Sequence, residues 1–341
     1  MSNAVFSKAK EICTVDFNKP HVVILGAGAS KATCPSGDKN GRSLPVMANF
    51  VETLGLAEVL ERSGIEHSER NFEDIYSELY GDEKYVELTQ TLEDLVAQYF
   101  RKMELPDYPT IYDYLVLSLR SKDVIATFNW DPLLLQAYVR NSSLANMPTI
   151  LYLHGCCVIG YCATHKIQDE LGQLCPFCDK VLTPTRLLFP VANKDYVSDP
   201  YVARQWETLK LNMEHAFILT IFGYGAPETD VAAVELMQEA WGTPEDRWIE
   251  KIEMIDIVDR EVLTKRWRPF IHTHHYLTTE TFFNSLISQH PRRSCDALLR
   301  SVRYGMFREG NPVPEFSRFE DLWAWFRPLL LAEEKDGAQP G

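Results

Sequence analysis

The 341-residue sequence lacks a long apolar run, an excess of basic residues and any internal repeat or low-complexity tract. No run reaches the roughly 18 to 20 apolar residues that a membrane-spanning helix requires. The first residues, MSNAVFSKAKEIC, contain no apolar signal-peptide core. The formal charge of −14, from 48 acidic and 34 basic residues, disfavours a broad nucleic-acid surface. We therefore expect a soluble cytoplasmic protein that does not bind membranes.

A short apolar stretch that ends in glycines, HVVILGAGAS at residues 21–30, predicts a buried parallel strand followed by a tight turn. Gly26 and Gly28 allow the backbone to approach a ligand without an intervening Cβ atom. If a helix begins there, its free amides and positive dipole end favour an anion, most often a phosphate. The plain alternative is a strand and a glycine turn with no ligand.

Other apolar runs also end in glycine or polar residues. They cover 124–128 before Asn129-Trp130-Asp131, 149–153 before His154-Gly155, 216–223 before Tyr224, and 251–258 before Asp259. Helical patterns lie between most of these runs, over 132–140, 200–215 and 229–240. This alternation predicts a doubly wound, mostly parallel α/β sheet of Rossmann-like type. Because ligands sit at the carboxyl ends of such strands, we expect these ends to converge on residues 26–30.

The remaining segments are assigned from periodicity and composition. The expected divisions are an N-terminal arm at 1–20, a Rossmann-like domain at 21–280 with a helical insertion at about 46–120, C-terminal helices at 281–331, and a disordered tail at 332–341. The polar residues 33–45 form a loop beside the glycine turn, which either closes over a ligand or is a plain surface connection. A last strand is expected at 272–279, with His272 and His274 on one face, and an exposed edge strand is favoured there over a metal site.

Five of the eight cysteines cluster in a segment at about 156–180. In a cytosolic chain of this length such clustering favours a metal over disulfides. Two pairs with two-residue gaps suit a closed tetrahedral Zn²⁺ site, which would supply folding energy to a segment with few apolar residues. The predicted ligands are Cys162, His165, Cys175 and Cys178. Cys156 and Cys157 are alternative ligands, of which Cys157 could replace His165, and a reduced loop with free thiols is the plain alternative.

Taken in order, these motifs resemble those of the sirtuin-like (Sir2-like) family. The matching features are GAGAS at 26–30, TFNWD at 127–131, His154-Gly155, the cysteine segment directly after it, and Gly223-Tyr224. The loop CPSGDKNGRSLP lacks the Phe-Arg pair of sirtuin deacylases, and Phe-Gly-Tyr-Gly-Ala stands where deacylases usually carry Gly-Thr-Ser. A histidine also enters a zinc module that usually has four cysteines. The chain is therefore most similar to bacterial sirtuin-like domains of anti-phage defence systems, which cleave NAD, often after a partner or an infection signal assembles them.

The resemblance implies NAD as the substrate, a structural zinc ion and particular roles for the site residues. Asn129 would orient the ribose and a water molecule, Asp131 would bind the nicotinamide carboxamide, and His154 would be the general base. The implied cofactor-binding set is Gly26, Ala27, Gly28, Ala29, Ser30, Asn129, Asp131, Gly223, Tyr224 and Asp259, with the pyrophosphate on the glycine turn and Asp259 on the adenine ribose. A carboxylate after a strand, such as Asp131, also commonly caps the next helix.

The leading hypothesis is an NAD glycohydrolase that produces nicotinamide and ADP-ribose, as a defence effector activated by a partner or by assembly. The aromatic C-terminal helices, with Trp323, Trp325 and Phe326, fit either internal packing or a contact with a homo-oligomer or partner protein. One alternative is an NAD-dependent protein deacylase, and another is a non-enzymatic NAD or ADP-ribose sensor or assembly subunit. A dehydrogenase is disfavoured because Lys31 stands where the dinucleotide fingerprint has its third glycine.

Overall fold

The computed structural model describes residues 4–191, 194–227, 230–243, 245–271 and 276–337. The strands are β1 (Val5–Phe6), β2 (His21–Leu25), β3 (Val124–Thr127), β4 (Thr149–Tyr152), β5 (Ile159–Cys162), β6 (Ile167–Glu170), β7 (Thr183–Pro184), β8 (Ile218–Phe222), β9 (Lys251–Ile255), β10 (Tyr276–Thr279) and β11 (Phe307–Arg308). The α-helices are α1 (Lys8–Cys13), α2 (Ala27–Thr33), α3 (Phe50–Thr53), α4 (Ala57–Arg62), α5 (Phe72–Leu79), α6 (Val86–Arg101), α7 (Ile111–Leu117), α8 (Leu133–Asn141), α9 (Pro200–His215), α10 (Val231–Trp241), α11 (Arg260–Arg266), α12 (Leu286–Gln289), α13 (Ser294–Tyr304) and α14 (Phe319–Gly337). Short 3-10 helices cover Met47–Asn49, Glu83–Tyr85, Arg268–Phe270 and Phe282–Asn284.

Within the described ranges, a six-stranded parallel sheet runs in the order β10-β9-β8-β2-β3-β4. The chain starts in the middle at β2 and moves outward through β3 and β4. It then returns to the other side of β2 and moves outward again through β8, β9 and β10. The strand order therefore reverses between β2 and β8, which leaves a crevice at the carboxyl ends of these strands.

The alternation of side chains along β2 divides the interior into two cores. Val23 and Leu25 face a core built with the helices of residues 46–120, and Val22 and Ile24 face a core that includes α9 and α10. A parallel strand buried on both faces needs apolar residues at every position, which is why HVVIL reads as one continuous run. The predicted fold class, a doubly wound parallel sheet, is confirmed.

The helical insertion lies where the sequence predicted it. Residues 46–120 contain α3 to α7 and two 3-10 turns, with no strand among them. Asn71 begins α5 as a side-chain cap, accepting the N–H of Asp74 at 2.9 Å. Apolar residues recur at helical spacing along α5, and Phe72, Ile75 and Tyr76 are buried in the first core. This layer covers the face of the sheet next to the crevice.

The C-terminal part of the chain differs from expectation in two ways. Helix α14 continues past Leu331 to Gly337, whereas a disordered tail was predicted from 332, and residues 338–341 lie outside the described residues. Strand β1 pairs in parallel with β11, an association that two-residue strands do not reveal in sequence. Phe326 is buried, and Trp323 Nε1 donates to Asn141 Oδ1 at 2.9 Å, so these aromatic side chains pack within the chain.

Strand β10 forms the predicted edge of the sheet, beside β9. The beginning of that predicted strand, with His272 and His274, lies outside the described residues.

Among the helices of the described ranges, none combines the length and the hydrophobicity needed to cross a membrane.

Candidate active site

A cavity of about 370 Å³ lies at the carboxyl ends of the central strands, where the strand order reverses. Aromatic side chains from the helical insertion and from the segment after β3 make much of its wall apolar. The predicted site residues that line it are Gly26, Ala27, Gly28, Ser30, Asn129, Asp131, His154, Gly223 and Tyr224. Ala29 is fully buried beneath the turn, and Asp259 is absent from the lining.

Gly26 and Gly28 bring the start of α2 against the turn that follows β8. The N–H of Gly26 donates to the carbonyl of Phe222 at 3.0 Å, and that of Gly28 donates to the carbonyl of Gly223 at 2.9 Å. A Cβ atom on Gly26 would lie 2.5 Å from Tyr224 Cα, and one on Gly28 would lie 2.7 Å from Gly223 Cα. The glycines are thus required for backbone packing, and these two amides bond within the protein, whereas the sequence predicted that they bind a phosphate.

Asn129 follows β3 and joins it to the glycine turn. Its Nδ2 group donates to the carbonyl of Gly26 and to Ser30 Oγ, both at 2.9 Å. Within the described ranges, its Oδ1 atom makes no hydrogen bond and remains available as an acceptor for a ligand hydroxyl or a water molecule. The Nδ2 group of Asn129 is therefore occupied by contacts within the protein, whereas its Oδ1 atom is open to the cavity. The resemblance assigned this residue to orienting the ribose and a water molecule.

Asp131 is buried beside Asn129 and holds two local contacts. Its Oδ2 accepts a hydrogen bond from Ser30 Oγ at 2.7 Å, and its Oδ1 accepts the N–H of Leu133 at 3.1 Å, at the start of α8. Tyr112 OH lies 2.7 Å from the same Ser30 hydroxyl. Burial raises the pKa of Asp131 above its ordinary value. Asp131 thus bonds the first amide of α8 from the residue before the N-cap, Pro132, and its carboxyl group also lines the cavity.

His154 follows β4 and lies almost wholly inside the protein. Its ring meets the edge of Phe128 at 4.7 Å between centroids, and its Nε2 atom lies 3.2 Å from Tyr196 OH and 3.9 Å from Asp230 Oδ1. Burial lowers the pKa of His154 to about 3, with Asp230 acting to raise it and Lys194 to lower it. The imidazole is consequently neutral at pH 7, as a general base requires.

At the end of β9 the structure places Asp256, not Asp259, beside the cavity. Asp256 follows the strand directly, lines the cavity, and accepts the N–H of Val258 on Oδ1 at 3.1 Å. Asp259 is exposed and caps α11, accepting the N–H of Glu261 at 2.7 Å. Arg266 also lines the cavity from the end of α11. The prediction that Asp259 binds a ribose is therefore not supported, and Asp256 is the carboxylate in that place.

The four predicted metal ligands come together in a small antiparallel sheet of order β6-β5-β7. Their donor atoms, on Cys162, His165, Cys175 and Cys178, all lie within 4.8 Å of one another. His165 Nδ1 is 3.5 Å from Cys162 Sγ and 3.4 Å from Cys175 Sγ, and the sulfur atoms of Cys162 and Cys178 are 3.9 Å apart. A tetrahedral zinc site, with Zn–S of about 2.3 Å and Zn–N of about 2.0 Å, separates sulfur pairs by about 3.8 Å and sulfur–nitrogen pairs by about 3.5 Å.

The backbone around these ligands repeats the same turn twice. Lys166 N–H donates to the carbonyl of Cys162 at 2.7 Å, and Asp179 N–H donates to that of Cys175 at 2.9 Å. Lys166 and Asp179 both have positive φ angles, 56° and 55°. Cys157 is buried in the first core and is not part of the ligand cluster, so it does not replace His165. The geometry suits a structural Zn²⁺ ion held by three cysteines and one histidine.

Several residues of the site carried no sequence motif. They are Tyr112, Lys194, Tyr196, Asp230 and Asp256. Tyr112 belongs to helix α7 of the helical insertion. Lys194, Tyr196 and Asp230 come from polar connections between elements. Only Asp256 had a signal, as the first acidic residue after a strand.

No family model and no curated protein matches the chain. Among solved structures, the chain is similar to a Sir2 homolog–NAD complex, at 14% identity over 89% of this chain and 97% of that chain, with a TM-score of 0.40. A structure described as the basis for the mechanism and regulation of Sir2 enzymes gives 13% identity, 87% and 96% coverage, and a TM-score of 0.41. A structure of Sir2 bound to acetylated peptide shows 12% identity over 85% of this chain and 95% of that chain, with a TM-score of 0.36. Because these TM-scores lie below 0.5, the fold class rests on the strand order and register of the sheet itself.

Proposed function

We propose that the chain is a sirtuin-like enzyme that hydrolyses the nicotinamide–ribose bond of NAD and releases nicotinamide and ADP-ribose. The observation that carries the proposal is the meeting of Asn129, Asp131 and His154 with the turn at residues 26–30 in one cavity at the reversal of strand order. Doubly wound sheets bind dinucleotides in that place. The sequence resemblance assigns these three residues to ribose orientation, carboxamide binding and proton abstraction.

The chemistry of the cavity suits this substrate. Aromatic and aliphatic side chains, among them Phe50, Phe100 and Trp130, offer apolar surface for a planar nicotinamide ring. The Asp131 carboxyl group is buried in the same wall and can hydrogen-bond a carboxamide. Asp256 at the far side, after β9, offers acceptors for the hydroxyls of a ribose. Because the amides of Gly26 and Gly28 bond within the protein, fewer backbone amides remain for the pyrophosphate than the usual dinucleotide fingerprint provides.

Hydrolysis proceeds through an oxocarbenium-like state at the ribose, as in other glycosidic cleavages. The electron pair of the C–N bond leaves with nicotinamide, and water adds to the anomeric carbon. The open Oδ1 atom of Asn129 can orient that water. Neutral His154 accepts the proton as positive charge on the ribose makes the attacking water more acidic. The balance is NAD and water to nicotinamide, ADP-ribose and one proton.

The test compares wild type with His154→Ala and a matched control, His21→Ala. His21 is equally buried, and burial likewise lowers its pKa to about 3, but it begins β2 at the opposite end of the sheet. After incubation with NAD and chromatography of the products, we expect His154→Ala to lose about 10²- to 10⁴-fold in turnover. His21→Ala should keep the wild-type rate wherever it remains folded. Full turnover by His154→Ala would contradict the base role.

The same assay separates the alternatives. NAD consumption that requires an acylated peptide, with transfer of the acyl group to ADP-ribose, would identify a protein deacylase instead. Tight binding of NAD or ADP-ribose without product under any condition would identify a sensor.

The chain is further proposed to act as an anti-phage defence effector that becomes active after assembly or contact with a partner. The sequence resemblance alone supports this role. The C-terminal aromatic residues contribute to internal packing, so they do not support that part of the proposal. Turnover measured across protein concentrations tests it, because assembly-dependent activity rises more steeply than in proportion to concentration. A specific activity that stays constant over a hundredfold range would argue against activation by self-assembly.

A further inference from the structure

Two loops meet beside His154 on the side of its Nε2 atom. From the first, residues 194–199, Tyr196 stacks on the imidazole at 5.9 Å between ring centroids and places its hydroxyl 3.2 Å from Nε2. From the second, which follows β8, Asp230 places Oδ1 3.9 Å from the same atom. The base proposed for NAD cleavage is therefore held by groups that no sequence motif identified.

The two loops are joined by a buried ion pair. Lys194 Nζ contacts Asp230 Oδ1, the same oxygen that faces His154, and the two side chains are only 3% and 5% exposed. Tyr224 OH donates to the other oxygen, Asp230 Oδ2, at 2.8 Å. Asp230 thus lies between a cation and an imidazole, with its second oxygen fixed. Removing one partner from such a buried pair leaves an uncompensated charge beside the histidine.

We propose that Lys194 and Asp230 form a balanced charge pair that orients His154 and keeps it an unprotonated base over the working pH range. Asp230 positions Nε2 and favours the imidazolium. Burial, which is the larger effect, and the charge of Lys194 both favour the neutral imidazole. The functional part of this inference rests on the proposed role of His154 as the base, and Lys194 and Asp230 are positioning residues that act through it.

The other ionisable groups around His154 do not set its protonation state. Tyr196 and Tyr224 flank it from the two loops, and burial raises the pKa of each phenol, so both remain neutral near pH 7. On the cavity side, Asp131 and Glu73 line the wall but are not among the charges that act on His154. Burial and Lys194 lower the pKa of the imidazole, and Asp230 opposes them. The charge of Lys194 is therefore the one to remove.

The experiment follows the titration of His154 by NMR in protein labelled in its histidine side chains, between about pH 4 and pH 8. The spectrum of His154→Ala assigns the resonance, and His21, at the other end of the sheet, is the internal control. The variants are Lys194→Gln, Lys194→Met, Lys194→Arg, and Lys194→Gln combined with Asp230→Asn. Because glutamine keeps a hydrogen bond to Asp230 and methionine keeps the apolar length, at least one neutral variant should fold.

In wild type we expect no protonation of His154 above about pH 5. Either neutral variant should raise its titration midpoint by about one to three pH units, because an unpaired carboxylate about 4 Å away favours the charged imidazole. Lys194→Arg, which keeps the charge, should behave as wild type, and the double variant should return toward it. His21 should be unchanged in all of them. A His154 that stays unprotonated down to about pH 4 in both Lys194→Gln and Lys194→Met, as in wild type, overturns the proposal.

A kinetic measurement adds a readout that a purely structural role would not move. The rate of NAD cleavage by wild type should be nearly level between about pH 4 and pH 8, whereas Lys194→Gln should lose activity below its raised His154 midpoint, at about pH 4 to pH 6, as His154 takes up a proton. Parallel pH profiles for the two proteins would overturn the proposal. If neither protein cleaves NAD, the NMR titration still decides whether the pair controls His154, so failure of the proposed function and failure of this inference remain distinguishable.

Discussion

Replacing Gly28 with alanine should lower the free energy of unfolding by about 1–3 kcal/mol. A Cβ atom at this position would lie 2.7 Å from Gly223 Cα and 2.9 Å from Gly223 O. Both are backbone atoms, so no side-chain rotation relieves the overlap, and α2 must move away from the end of β8. That movement also stretches the 2.9 Å hydrogen bond from Gly28 N–H to Gly223 O.

The magnitude follows from three effects. Overpacking of this kind costs about 1–3 kcal/mol, and the lost hydrogen bond costs about 1 kcal/mol more. Alanine gains about 1 kcal/mol over glycine within a helix, which offsets the hydrogen bond. Unfolding entropy of about 2.1 cal/mol/K per residue gives about 0.7 kcal/mol/K for 341 residues, so the melting temperature should fall by about 1–4 °C.

Urea unfolding followed by tryptophan fluorescence, with calorimetry alongside, measures the change. Gly225→Ala is the matched control, because Gly225 lines the same cavity but a Cβ atom there meets nothing within 4 Å. That variant should stay within about 0.5 kcal/mol of wild type. If Gly28→Ala were as stable as Gly225→Ala but failed to bind NAD, the glycine would be needed for the ligand, and the packing argument would be refuted.

Two further predictions concern the interior and the metal module. Burial raises the pKa of Glu253 to about 7 from 4.5, so between these values the folded protein retains a proton that the unfolded chain releases, and stability falls as pH rises through that window. In urea unfolding, the decrease in the free energy of unfolding between pH 4.5 and 7.5 should be about 3 kcal/mol smaller for Glu253→Gln than for wild type. Equal pH dependence of the two proteins would contradict this prediction. Cys175→Ser should abolish the one equivalent of zinc expected by elemental analysis and expose residues 156–184 to protease, whereas Cys157→Ser should keep the metal, and equal metal content in the two variants would reject the ligand set.

The fold class was predictable because each central strand is a short, continuous apolar run ended by glycine or a polar residue. The C-terminal boundary was not, because long-range contacts decide it. Glu333 accepts hydrogen bonds from Arg292 at 2.7 Å and from Arg293 at 2.6 Å, and these buried pairs support the last turns of α14. From the polar sequence AEEKDG alone, the pairing of Glu333 with two arginines about 40 positions earlier could not be predicted.

The placement of Asn129, Asp131 and His154 beside the glycine turn was predictable because each lies within four residues of the end of a central strand. Asp259 was chosen as the strand-end carboxylate because hydropathy extended the predicted strand to residue 258, beyond its observed end. Ile257 continued the apolar pattern, but β9 ends at Ile255 and the side chain of Ile257 is 89% exposed. Asp256 is consequently the strand-end carboxylate. Tertiary contacts alone bring Lys194 and Asp230 to His154, so their role has no local signature.

The reversal of strand order between β2 and β8 has a consequence for folding. The cavity is bounded by residues after β2 and after β8 that lie about two hundred positions apart in the chain, so it forms only after β8 has paired with β2. Contacts of such long range form late, because chain closure must precede them. A molecule in which β2, β3 and β4 have paired alone would have a sheet but no complete site. A ligand that fits the cavity would bind only the fully folded chain and should raise its melting temperature by mass action.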